Sequence, residues 1–205
     1  MAFSDYRKYT AAELKSIFRL DIQNKVDLFP DFTPSGQKYE ELQKDVNEMA
    51  ARFRLSKSDN EATRGSLLVS RVLWKAGSIY GMGVFFEPNV VYQADASLNL
   101  PHSLSGAYDG GLSLDEFDFI SPIVSVVEVK RSSLSDGLGQ CIAEMYTTIH
   151  LFNQQKVYGI ITDGETWEFM RLEGSVISVD PHNYYSKFVS DIVDRIGYIA
   201  TKFDK

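Results

Sequence analysis

The chain has 205 residues and an ordinary apolar share of 44%, enough for one domain with a full core. Its net charge of −7 disfavours nucleic-acid binding through bulk charge but leaves room for a local basic groove. No apolar run approaches the ~18 residues of a membrane span, and the opening Met1-Ala2-Phe3-Ser4-Asp5 has no apolar signal core. The lone cysteine, Cys141, can make no internal disulfide, which fits a reducing cytoplasm.

In chain order, Thr10 caps a short helix over 10–20, with Glu13 at the capping-box position. Pro30, Pro34 and Gly36 mark a loop. Tyr39, Leu42, Val46, Met49, Ala50 and Phe53 recur at helical spacing and predict an amphipathic helix over 37–54. Ser58 or Asp59 caps a further helix from Asn60 to Ala76, ended by Gly77. Residues 82–93 read as a strand, or a strand pair broken at Pro88. The stretch 94–122 is rich in turn formers, among them Pro101, Gly106, Gly110, Gly111 and Pro122, with a strand over Asp109–Leu114 and an acidic loop at Asp115, Glu116 and Asp118.

Ile123 to Lys130 then reads as a strand buried on both faces that ends in charge. A helix over 137–152 carries Ile142, Met145, Tyr146, Ile149 and Phe152 as its apolar stripe. Strands follow at 156–162, 166–172 and 176–179, with a turn at Asp163-Gly164, and a final helix covers 184–203. The strand–helix–strand unit favours parallel pairing and the meander before it antiparallel pairing. The fold class expected is therefore α/β: a mixed sheet flanked by helices in a single domain over 1–205, with 1–57 as a helical N-terminal extension.

The chemistry gathers at the end of the 123–130 strand. Glu128 and Lys130 lie two apart and share one face. The pattern Glu-x-Lys is weak alone, and Glu13-Leu14-Lys15 repeats it on a solvated helix face. The second copy differs because it closes a buried strand behind a hairpin that begins with an acid. If the hairpin centres near Phe117–Asp118, Asp109 lies opposite Glu128. Asp115 is a rival first acid if the chain turns tightly at Ser121-Pro122. Two carboxylates suit Mg²⁺ or Mn²⁺, and such a cation acidifies water and stabilises charge developing on a phosphate. Lys130 can orient or deprotonate the water, or hold a phosphate oxygen. The competing structural readings are an ion pair for Glu128 and Lys130, a turn residue for Asp109, a dipole-facing acid for Glu61 and core packing for Cys141, Trp167 and Phe169. Whether Lys130, Arg131, Lys156 and Arg171, with Arg64, Arg71 and Lys75 on the early helix, make one groove stays open.

Asp109, 18 residues, then Glu128-Val129-Lys130, then a helix carrying Gln140 resembles the PD-(D/E)XK nuclease superfamily. The version nearest in pattern is the N-terminal domain of type I restriction R subunits. The wider run from Gly106 to Phe169, including Gly137-Leu-Gly-Gln-Cys-Ile-Ala-Glu144 and Val157-Tyr-Gly-Ile-Ile-Thr-Asp-Gly164, is similar to uncharacterised cyanobacterial proteins of that superfamily. The resemblance implies a restriction-endonuclease-like fold, cation binding by Asp109 and Glu128, catalysis by Lys130 and a helper role for Gln140. It also implies an added metal ligand at Glu61. The chain departs from it at Tyr108, where proline is usual, and at Glu144, where tyrosine follows the glutamine. The expected function is Mg²⁺- or Mn²⁺-dependent hydrolysis of phosphodiester bonds, in DNA, with a restriction or defence role by analogy. A homodimer or larger defence complex is an expected partner and a membrane is not. The alternative is a catalytically weak or inactive module of the same fold that binds nucleic acid or a protein.

Overall fold

The computed structural model describes residues 1–57, 59–93 and 102–203. Ser58 as a cap and Pro101 as a turn former lie outside the described residues. A 3-10 turn, Phe3–Lys8, leads into α1 (Ala11–Phe18), where Thr10 and Glu13 close the expected capping box. Next come β1 (Asp21–Asn24) and α2 (Glu40–Phe53). A continuous helical rod follows: α3 (Glu61–Arg64), a π-helical segment (Gly65–Val69) and α4 (Ser70–Tyr80). The remaining elements are β2 (Gly83–Phe86), β3 (Asn89–Tyr92), β4 (Leu104–Ala107), β5 (Gly110–Ser113), β6 (Ile123–Val129), α5 (Leu138–Leu151), β7 (Lys156–Thr162), β8 (Thr166–Glu173), β9 (Val176–Val179), β10 (Tyr184–Tyr185) and α6 (Val189–Ala200).

The main sheet runs β1-β9-β8-β7-β6-β5-β2, with β10 added against β8. The β6–β7 and β1–β9 pairs are parallel and the other pairs antiparallel, so the sheet is mixed, as the element order predicts. Strand alternation sends its side chains into two cores. Val127, Val129, Tyr158, Ile160, Trp167 and Phe169 pack toward α2, α4 and α6. Ile123, Val126, Val157, Ile161, Met170 and Leu172 pack toward α1, α5 and the Phe3–Lys8 turn. Among the described residues no helix is long and apolar enough to cross a membrane.

Several expectations need correction. Segment 1–57 is not only helical, because Asp21–Asn24 joins the sheet edge beside β9. The strand is short and mostly exposed, so it has no apolar run to announce it. The cap of the early helix is Asn60, whose side chain accepts the Thr63 amide; Asp59 instead pairs with Arg64. That helix passes through Gly77 and ends at Gly81, whose φ of +66° is the left-handed conformation glycine tolerates. Gly77 serves packing: a Cβ there would lie 2.8 Å from the Met82 carbonyl oxygen. Residues 82–93 do divide at Pro88, but the halves enter different sheets, β2 pairing with β5 and β3 with β4. Residues 184–188 form β10 and a 3-10 turn, so the last helix starts at Val189.

Helix α5 is the element that seals the site. It is buried from Gly139 to Ile149 without an exposed face, because the sheet covers one side and the N-terminal turn the other. Two glycines permit this. A Cβ at Gly159 of β7 would meet Cys141 Sγ and Met145 Sδ at 2.7 Å, and one at Gly139 would lie 2.1 Å from the Tyr6 carbonyl oxygen. The second clash is with backbone, so the Phe3–Lys8 turn would have to move. Gly139→Ala is expected to cost about 1–3 kcal/mol, read as a lower urea midpoint at unchanged slope; an unchanged midpoint would show that the turn does not bear on α5.

Candidate functional site

The hairpin register fixes the site. Gly110 faces Val127 and Gly111 faces Val126; one step further, Asp109 stands opposite Glu128. Asp109 Oδ2 accepts the Val129 amide at 2.7 Å, which pins the carboxylate to the end of β6. Asp115 lies at the other end of the hairpin, beyond the Ser113–Ile123 pair. Five residues of strand separate that end from Glu128, about 16 Å. Its Oδ1 accepts the Phe117 and Asp118 amides at 2.8 Å, so it closes the turn.

Glu128 is fully buried and Lys130 is 6% exposed. The Lys130 ammonium sits against Glu128 Oε1, and Glu61 Oε1 approaches it at 3.7 Å from the rim. Neither Glu128 oxygen has a hydrogen bond of ordinary geometry. Gly137, just before α5, lets the chain pass this pair closely; a Cβ there would be 3.3 Å from both Glu128 Cγ and Lys130 Cγ. Gln140 Nε2 donates to Glu144 Oε1 at 3.4 Å, so the glutamine addresses Glu144. Glu144 is itself fully buried, with Oε2 unpartnered. In sequence Glu144 stands out only as a departure from the motif, although positions 140 and 144 share one helix face.

Burial and the nearby Asp109 push the Glu128 carboxyl up to about 8, against the pull of Lys130. Burial also raises Asp109, opposed by the Val129 amide, and raises Glu144 well above the usual range, with Glu128 adding to it. For Lys130, burial acts downward, yet contact with Glu128, helped by Glu61 and Asp109, outweighs it and the ammonium is strengthened.

Asp109 and Glu61 open onto a cavity of about 400 Å³ also lined by Gly65, Ser66, Phe86 and Glu87. The π-helical segment forms one wall; such segments occur often at functional sites. Glu87 has a φ of +52°, strain held at the cavity rim. A larger cavity, about 920 Å³, lies between α2 and α6. Its buried acid, Asp194, is fully served by Ser35 and Tyr80, which leaves the smaller cavity as the candidate site. The early-helix cations make no groove there. Arg64 is buried on Asp59 and the Asp163 carbonyl, Arg71 pairs with Asp45, and Lys75 lies over the Tyr39 ring. Trp167 and Phe169 are core residues.

Among the described residues no group of three or more His, Cys, Asp or Glu side chains is arranged to hold a metal ion. Mg²⁺, however, commonly takes one or two carboxylates and fills its shell with water and phosphate oxygens. Two hard oxygen donors, on Asp109 and on the buried Glu128 beside it, fit that requirement. No protein-family model matches the chain, and no curated protein matches it.

In the cation-free fold Glu128 keeps its proton to about pH 8, whereas its ordinary value is 4.5. The folded state thus binds the extra proton between those values, and stability falls as pH rises through them. In EDTA the denaturation midpoint should drop across that window, and Glu128→Gln should make the drop shallower. A slope identical in both proteins would place the ionisation elsewhere.

Proposed function

We propose that this chain is a divalent-cation-dependent nuclease of restriction-endonuclease-like, PD-(D/E)XK type, cleaving phosphodiester bonds, with DNA as the substrate. The observation that carries the proposal is Glu128: a carboxyl at zero exposure at the end of β6, set between Asp109 and the Lys130 ammonium.

Asp109 and Glu128 are the proposed ligands of Mg²⁺ or Mn²⁺. Asp109 keeps Oδ2 on the Val129 amide, which fixes its plane and leaves the other oxygen for the cation. When bound, the cation supplies Lewis-acid charge at the phosphate and a more acidic water. Contact with Glu128, helped by Glu61 and Asp109, favours the charged form of Lys130, which suits it to donate to a phosphate oxygen or to orient the water. Glu61, at the cavity rim, is a proposed further ligand, and Gln140 acts on the site through Glu144. Cutting both strands of a duplex would call for two copies of the chain. A cytoplasmic setting and a part in defence belong to the same reading.

The second reading, a binding module without chemistry, is favoured by the Lys130–Glu128 contact and by the acids Glu61 and Glu87 beside the cavity. Supercoiled plasmid incubated with Mg²⁺ or Mn²⁺ separates the two. The wild type should nick it, EDTA should stop the reaction, and Lys130→Ala and Asp109→Asn should each lose about 10²-fold or more in rate. Cleavage by Lys130→Ala at the wild-type rate would remove the chemistry from this site. No cleavage by the wild type of plasmid, linear, single-stranded or RNA substrates would leave the binding module as the better account.

A further inference from the structure

Helix α5 carries a buried carboxyl that the proposed chemistry uses only as the link from Gln140. Glu144 is at zero exposure, one helical turn after Gln140, and its Oε2 has no partner. A leucine or tyrosine would fill that space without the desolvation cost of an acid, several kcal/mol for an uncompensated group. The acid also stands beside another acid. Glu144 and Glu128 are within hydrogen-bond reach of each other: Glu128 raises Glu144, whereas the bond from Glu144 lowers Glu128, and Asp109 raises both. The only strong positive charge among these groups is Lys130.

We infer that Glu144 is a positioning residue of the cation centre, holding the Glu128 carboxylate from the α5 side in the orientation that takes the metal. Gln140 fixes it in turn, donating to Oε1 and leaving Oε2 toward the glutamate of β6. The inference rests on the cation-dependent reading above and adds a residue to it. It does not make Glu144 a direct ligand, in keeping with the absence of a three-acid cage among the described residues.

The test is Mn²⁺ titration calorimetry, beside thermal unfolding in EDTA, on the wild type, Glu144→Gln and Asp194→Asn. Glu144→Gln keeps the shape and removes the charge. It should unfold in EDTA at or above the wild-type temperature and bind Mn²⁺ about 10–100-fold more weakly. Asp194→Asn alters a buried acid outside the site and should keep wild-type Mn²⁺ affinity. If Glu144→Gln does not fold, Glu144→Asp, which keeps the charge and withdraws it by one methylene, should show the affinity loss instead. Unchanged Mn²⁺ affinity in the folded Glu144 variant would overturn the inference while leaving the cation site standing. No Mn²⁺ binding by the wild type would remove the cation site, and Glu144's part with it.

Discussion

The structure turns on one unfavourable placement, a carboxyl near the end of a strand buried at every position. Strand β6 is buried at all seven positions, and Glu128 is at zero exposure. Taking such a group out of water costs several kcal/mol after relaxation. The Lys130 ammonium on the same face answers part of that cost, while Asp109 adds to it. The neighbouring geometry keeps this arrangement: Gly137 leaves space beside the pair, and the Val129 amide holds Asp109 at the strand end. Local rules of satisfied burial are broken here, and functional sites are where folded proteins tolerate such breaks.

The N-terminal segment makes the burial possible. Phe18 packs on Tyr6 and on Tyr146 of α5, with ring centroids 5.2 Å and 4.8 Å apart. These contacts lay the Phe3–Lys8 turn and α1 over the outer face of α5, so the helix has no solvent side for Glu144 to use. The apolar packing of the first twenty residues therefore bears on the same helix that carries Glu144.

What the sequence made legible follows the same division. Strand β6, the hairpin register opposite it, α5 and the Thr10 capping box each carry a local signal: β-branched runs, a central turn, a 3.6-residue stripe, a cap. The short strands β1, β4 and β10 carry none. Each is fixed by a neighbour already in the fold, as β1 is by β9. Glu144 escaped for a different reason. The apolar stripe of α5 suggests one wet face, and Glu144, Thr147 and Thr148 fall off that stripe. All three are nonetheless buried, because the helix is covered twice. Periodicity reports the first covering layer and is silent about a second. The early-helix cations illustrate the converse: Arg64, Arg71 and Lys75 look like a basic patch along the chain, but folding assigns each an internal partner.

The cavity beside the site faces a polyanion with acids: Glu61, Glu87 and Asp109. At an effective dielectric of about 20, a phosphate 5 Å from one carboxylate is opposed by roughly 3 kcal/mol, and Lys130 is already engaged with Glu128. On the nuclease reading, substrate and cation therefore cannot bind independently. A divalent ion among these acids reverses the local field that repels a phosphate, and a phosphate supplies oxygens that the ion's shell needs. Each raises the affinity for the other by the same factor. On that reading the net charge of −7, which disfavours nucleic-acid binding by the bare protein, makes a bound cation the point at which a phosphate would be attracted.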